Sequence, residues 1–342
     1  MTYDVEFYDP RHDPEPDFWE PWRRAAGQWA NWGWAPMRAG SLHSRDPLLV
    51  AVLRRRAEPA VAGVVCAVVC AAIPRARFCG ARGFPRAGYL HVVAPQNSGQ
   101  TGWHLDTDSL EERAAMLRAY VRAARRELGA AVAGVLWRQV GKGDVAALPH
   151  RLVVRPTLPF CLIDTPFRDR SGWLATLRGE RRRELKRLAR VLERDEDLMV
   201  FAGLGREVVT AAEVTRAARL NFDRHPTAWA DRNTGLRAYA WNRALLDSDD
   251  VGAIAYRDGS GTLLGVAMIL EHPTRPYLMS WGAEPIGDGG RRHLYFDLYG
   301  RMIDRATAAG AEAVLLGKGA TEIKTDLGAR QLAQFAVVAR TF

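Results

Sequence analysis

The sequence predicts an α/β protein made of two copies of one strand, strand, helix, strand unit, and three observations carry that prediction. An apolar hairpin occurs once in each half of the chain. Each hairpin is followed downstream by an amphipathic helix that ends at a glycine and leads into an apolar strand. The length of 342 residues suits roughly two domains of about 150 residues each.

The chain opens with MTYDVEFYDPRHDPEPDF, which is acidic and lacks a basic start followed by an apolar stretch, so no secretory signal is expected. Residues 18–34 hold five of the eleven tryptophans, Trp19, Trp22, Trp29, Trp32 and Trp34. The helical spacing of Trp19, Trp22 and Trp29 predicts that residues 1–45 pack on the first domain; the same flat rings also suit a lid or a stacking surface.

The first domain is expected over residues 46–160. LLVAVLRRR at 48–56 and VAGVVCAVV at 61–69 read as two strands about a charged turn. A long irregular insertion at 78–108 separates them from a helix at 111–128, opened by the capping-box pair Ser109 and Glu112 and closed by Gly129. A strand follows at 131–139. Residues 161–200 are expected to link the halves through a basic helix, because Leu174, Leu177, Leu185, Leu188 and Leu192 recur at helical spacing within 168–194.

The second domain is expected over 201–342. Helices are predicted at 211–222, with Thr210 and Glu213 as a capping box, and at 234–246. The hairpin 251–261 with 263–272 repeats the outline of the first, and Gly63 and Gly265 fall at matching positions. A short PTRP turn, the strand YLMSWGA and a glycine turn precede a helix at 292–309, closed by Gly310 and followed by a strand at 311–319.

Composition narrows the function. With 48% hydrophobic and 25% charged residues the chain is neither generally disordered nor fibrous. Its longest apolar run, 60–73, is shorter than the roughly 18 residues of a membrane span, so a cytoplasmic protein is expected. Cys66, Cys70, Cys79 and Cys161 contain no CxxC pair and read as buried reduced thiols, with no metal site expected. Lys plus Arg number 48 against 39 Asp plus Glu, a net charge of +9 that favours anionic partners. Residues 168–194 hold ten basic and four acidic side chains, so most of that excess is concentrated there.

The segments LRGERRRELKRLARVLER, RDGSGTLLGVAMILEH and GGRRHLYFDLYGRMIDRATAAGAEAVLLGKGATEIKTDLGA resemble the Fem-like branch of the GNAT acyltransferase superfamily, over about residues 46–342. The resemblance implies two tandem GNAT-like domains, each a mixed, mostly antiparallel sheet flanked by helices, with the second supplying the working cleft. It implies an N-acyltransferase that moves an aminoacyl group from its tRNA ester onto an amine, without a tightly bound cofactor. Fem-type acceptors are cell-wall precursors or small-molecule antibiotics. The coiled-coil arm of some cell-wall members is not visible, which points to a small-molecule amine. Other members of the superfamily use acyl-CoA, and a non-catalytic RNA- or nucleotide-binding protein on the same fold is a further reading.

Amide formation requires a held donor carbonyl, a neutral amine in reach and a stabiliser for the developing oxyanion. In PIGDGGRR, Gly287, Gly289 and Gly290 stand directly before a helix, where backbone N–H groups can bind phosphate, and Arg291 and Arg292 add charge. A plain strand-to-helix turn accounts for the same glycines. The superfamily's acetyl-CoA pattern begins with Gln or Arg, and here Glu284 stands in that place. Lys324 is the leading candidate to orient the acceptor or stabilise negative charge, with Lys318 second. Glu271 and His272 at a strand end, or Asp326, are candidate bases. Arg183, Lys186, Arg187 and Arg190 share one helix face suited to tRNA phosphates. Arg224, His225 and Trp229 are candidate acceptor contacts.

Overall fold

The computed structural model describes residues 2–42, 46–56, 58–70, 88–129, 132–224 and 235–341. The chain divides into two compact units, Met1–Pro159 with Ala333–Phe342, and Phe160–Leu332.

Unit 1 contains strands β1 (Tyr3–Tyr8), β2 (Leu48–Arg55), β3 (Val61–Cys70), β4 (Gly88–Val92), β5 (Trp103–Leu105), β6 (Val132–Gly141) and β7 (Arg151–Pro156), and also the last strand of the chain, β15 (Gln334–Arg340). They form one sheet in the order β1-β2-β3-β4-β6-β15-β7, with β5 paired to β3. Among the described residues of this sheet only β4 and β6 run parallel. Strand β2 is apolar at every position from Leu48 to Leu53 because both faces of the sheet are covered. Leu49, Ala51 and Leu53 meet the helix α3 (Leu110–Leu128) through Met116, Leu117 and Tyr120. Val50 and Val52 meet Trp19, Trp32, Trp34 and Met37 of the N-terminal segment, carried by α1 (Trp19–Ala25), the 3-10 turn Ala30–Trp32 and α2 (Trp34–Ser41). Burying each such aliphatic side chain contributes about 1.5–3 kcal/mol.

Unit 2 contains β8 (Phe160–Asp164), β9 (Met199–Leu204), β10 (Val251–Arg257), β11 (Leu263–Leu270), β12 (Tyr277–Ala283), β13 (Ala313–Gly317) and β14 (Arg330–Leu332), ordered β14-β8-β13-β12-β11-β10-β9. Its helices are α4 (Arg170–Thr176), α5 (Gly179–Glu193), α6 (Gly205–Val208), α7 (Ala211–Arg224), α8 (Leu236–Leu246), α9 (Leu294–Ala308) and α10 (Thr321–Asp326). Leu294, Leu298, Met302 and Ile303 of α9 share a core with Ile254, Ile269 and Leu278 of the sheet and with Trp173, Leu177 and Leu185 of the α4–α5 segment. Helix α7 lies on the opposite face. Gly282 alternates with the core-facing Trp281, and a Cβ there would come within 2.1 Å of the Ala217 carbonyl, so the α7 backbone rests on β12.

The repeat is visible in detail. In unit 1 Leu53 pairs with Gly63 and Arg54 with Val61; in unit 2 Tyr256 pairs with Gly265 and Arg257 with Leu263. Both hairpins therefore carry the same one-residue bulge beside the same glycine. The insertion expected at 78–108 contains β4, which corresponds to β12, and the short β5, so both units repeat three strands, a helix and a strand, to which unit 1 adds β5 before the helix.

Several expectations are corrected. Residues 161–200 do not link the units but belong to unit 2 as β8, α4, α5 and the start of β9. The single basic helix is broken where Leu177 and Arg178 take extended backbone. Residues 333–342 belong to unit 1, because β15 completes its sheet between β6 and β7. The acidic N-terminus forms the edge strand β1, and Trp29 falls outside α1, just before a short 3-10 turn. Cys66, Cys70 and Cys161 are buried; Cys79 lies outside the described residues.

Candidate active site

The two parallel strands at the middle of each sheet differ between the units. In unit 1, β4 and β6 pair from Gly88↔Val132 to Val92↔Trp137. In unit 2, β12 and β13 pair at Tyr277↔Leu315 alone. Beyond that pair β12 continues for six residues, whereas β13 ends at Gly317, where φ is 70°. The strands therefore part toward their carboxyl ends and leave a wedge in the sheet of unit 2. Met279, Ser280 and Trp281 are half-buried along its β12 side. Aromatic rings gather at these strand ends: Phe160 with Tyr277 at 5.8 Å, Trp281 with Tyr295 at 6.0 Å, and the Tyr295 and Tyr299 hydroxyls in a 2.8 Å hydrogen bond. Burial raises the pKa of both tyrosines, which keeps them protonated hydrogen-bond donors.

Because β12 and β13 are parallel, the turn after β12 and the loop after β13 emerge at one edge of the sheet. The glycine turn and Lys324 are thus on the same side. Within the turn, however, the N–H groups of Asp288 and Gly290 donate to the Pro285 carbonyl and that of Gly289 to the Ile286 carbonyl. A Cβ at Gly290 would lie 2.1 Å from the Glu284 carbonyl, and Gly289 sits at φ 90°. Gly289 and Gly290 are there to close the turn, and their N–H groups are spent inside it. Gly287 is exposed with open space about it. Arg291 is held by Asp195 at 3.1 Å and Asp197 at 2.8 Å, so its charge is matched locally.

Lys324 is buried, with 4% of its surface exposed. Its ammonium donates to the carbonyls of Leu316 at 2.8 Å, Gly317 at 3.3 Å and Lys318 at 2.9 Å. These three bonds use all three ammonium protons. Lys324 thereby gathers the loop that leaves β13, whose Gly317, Gly319 and Ala320 all have positive φ. Burial brings its pKa down to about 8, opposed by the nearby Cys161. Lys318, partly exposed, supplies one of these carbonyls.

The base candidates are dispersed. Glu271 and His272 follow β11 at the opposite edge of the sheet from the wedge. Glu271 pairs with Arg305 at 2.7 Å, and the His272 Nδ1 accepts from the N–H groups of Thr274 and Arg275 at 3.1 Å each, capping a turn. Their spacing from the strand end was legible, but not the direction in which that end lay. Asp326 is exposed on α10. His225 and Trp229 lie outside the described residues, as does the side chain of Arg224.

Arg183, Lys186, Arg187 and Arg190 are all exposed, while Leu185 and Leu188 of the same helix are buried. Helix α5 packs beside α9, and Arg187 reaches the neighbourhood of His293, the residue before α9. Burial first, then Arg187 and Arg292, lower the His293 pKa. The cationic face is therefore continuous with the turn that follows β12.

Sequence reasoning missed a groove between α7 and the ends of β11 and β12, with a volume of about 170 Å³. Its lining includes Glu213, Arg216, Gly265, Gly282 and Glu284. Arg216 and Glu284 form an ion pair across it at 2.8 Å. Tyr295 and Tyr299, four residues apart on one helix face, were the other missed pair; that spacing was the available signal.

Paired sheets with one mostly antiparallel repeat in each unit, and a wedge between the parallel strands of the second, define the tandem GNAT fold. Solved structures with this fold cover nearly the whole chain. L-PGS from Bacillus licheniformis superposes with a TM-score of 0.58 at 11% identity, over 95% of this chain and 92% of that one. FemX gives 0.56 at 10% identity, over 89% and 90%. A tandem GNAT protein from the clavulanic acid biosynthesis pathway gives 0.52 at 10% identity, over 100% and 99%. By sequence, no protein-family model and no curated protein matches the chain.

Proposed function

We propose that this chain is an N-acyltransferase that transfers an aminoacyl group from aminoacyl-tRNA to the amine of a small molecule, with unit 2 as the catalytic unit. The wedge between β12 and β13 carries the reading. Its open strand edge offers backbone hydrogen bonds to an extended donor, and unit 1 has no equivalent opening between β4 and β6. The likeness to FemX in fold is in keeping with it.

The amine nitrogen attacks the ester carbonyl, the tetrahedral oxyanion collapses, and the ribose oxygen of the tRNA leaves with a proton from the amine. The tyrosine hydroxyls of Tyr295 and Tyr299 are the protonated donors nearest these strand ends on α9. The exposed face of α5 suits a long polyanion. The spent N–H groups of residues 288–290 leave the turn itself a poor cradle for a pyrophosphate, which favours tRNA over acyl-CoA.

The test is to incubate the protein with charged tRNA or with acyl-CoA, in each case with candidate amines, and to measure amide product. RNase is expected to abolish the reaction. Product that survives RNase and requires acyl-CoA would replace the tRNA donor with the thioester. No product with either donor would leave a binding protein on this fold.

A further inference from the structure

The charges that line the groove beside α7 are held in two ways. Glu213, on one side, is fixed: it pairs with Arg257 at 2.7 Å and closes the capping box by accepting from the Thr210 N–H at 2.8 Å. Arg257 is further tied to the carbonyls of Gly261 and Val208. The second pair is asymmetric. The Glu284 side chain is 11% exposed, whereas that of Arg216 is 67% exposed and reaches the carboxylate from the solvent side. Holding a long, exposed arginine in one rotamer for an ion pair gains little, so a ligand can displace it at small cost. Displacement exposes a half-enclosed carboxylate at the bottom of a groove and leaves a guanidinium at its mouth.

The lining between them is mostly small and apolar, with Ala217, Leu220, Gly265, Gly282 and Ala283. The volume of about 170 Å³ corresponds to roughly five or six waters, enough for a small organic molecule. Glu284 is also the residue directly before the glycine turn, so the groove opens at the same sheet edge as the wedge.

We propose that this groove is the acceptor subsite and that it takes a zwitterionic amino acid or amino-acid-like molecule, its ammonium on Glu284 and its carboxylate on Arg216. The proposal rests on the acyl-transfer reading above for the word acceptor, but the binding it asserts is independent of any donor. The carboxylate of Glu284 accepts from the ammonium, and the planar guanidinium of Arg216 donates to the ligand carboxylate as a two-point fork. A ligand lacking either charge leaves one partner of a partly desolvated pair uncompensated, and so binds more weakly.

The experiment is equilibrium binding to the full chain without tRNA or acyl-CoA. Each of the common L-amino acids, and the matching amine lacking the carboxylate, is titrated and followed by saturation-transfer NMR. At least one amino acid is expected to bind at least tenfold more tightly than its amine. Arg216→Gln, a surface change, and Glu284→Gln are each expected to weaken that amino acid at least tenfold. Absence of binding by every amino acid, equal binding of amino acid and amine, or affinity unmoved by Arg216→Gln overturns the proposal. The two readings fail separately. Amide formation indifferent to Arg216→Gln would remove this subsite and keep the acyltransferase, whereas amino-acid binding without amide formation would keep the subsite and remove the reaction.

Discussion

Tyr277 and Leu315 form the one register pair between the parallel strands β12 and β13, and the sheet opens beyond them. The corresponding strands of unit 1 stay paired along β4. A duplicated fold has thus kept a closed seam in one copy and an open one in the other, and the open copy is also the one that carries the cationic helix.

Lys324 is expected to matter first as a fold element. Lys324→Met would leave the carbonyls of residues 316–318 without their shared donor and cost about 2–4 kcal/mol of stability, measured by urea unfolding. Unchanged unfolding would show that the loop after β13 holds itself.

The glycine turn gives a paired test. Gly290→Ala forces a methyl group onto the Glu284 carbonyl and should cost roughly 2–4 kcal/mol. Gly287→Ala meets open space and should stay within about 0.5 kcal/mol of the parent in thermal unfolding.

Replacing Arg183, Lys186, Arg187 and Arg190 together by glutamate should leave folding intact, since all four are exposed. Filter binding of tRNA should weaken, and the slope of log affinity against log salt should fall by an amount reflecting up to about four phosphate contacts. An unchanged slope would place the polyanion elsewhere.

Glu20 supplies a pH dependence with a definite sign. The hydrogen bond from Arg23, reinforced by Arg24, brings its pKa down from 4.5 to about 2. A depressed carboxyl pKa stabilises the fold at pH above 4.5, and that contribution is lost as the pH falls toward 2. Because the side chain is 38% exposed, its size is discounted to about 1 kcal/mol. The difference in unfolding free energy between the parent and Glu20→Gln should be flat above about pH 5 and vanish near pH 2.

What was legible in the sequence was local. The Thr210–Glu213 capping box forms in both directions, with the Glu213 N–H donating to Thr210 and the Thr210 N–H to Glu213. At Ser109 only half of the box forms, because Glu112 turns away to Arg55, Tyr3 and Thr107. The strands around Gly63 and Gly265 were readable because alternation, turns and glycines act over a few residues. The candidate site was less so. Lys324 was read as a residue to orient an acceptor or stabilise negative charge; the acceptors of its ammonium are backbone carbonyls, which no side-chain pattern encodes. Arg291 looked like a phosphate ligand until Asp195 and Asp197, almost a hundred positions away, proved to face it. Glu284 registered as a departure from a pattern, and its partner Arg216 lies on helix α7, far back in the chain.

The return of β15 to unit 1 sets an order of events during translation. Among the described residues β7 joins its sheet through β15 alone, and β6 has β15 as its neighbour on that side. The half of the chain that leaves the ribosome first therefore waits, with β7 unpaired and one edge of β6 open, until residues 334–340 have been made, while the contiguous second unit can close before it.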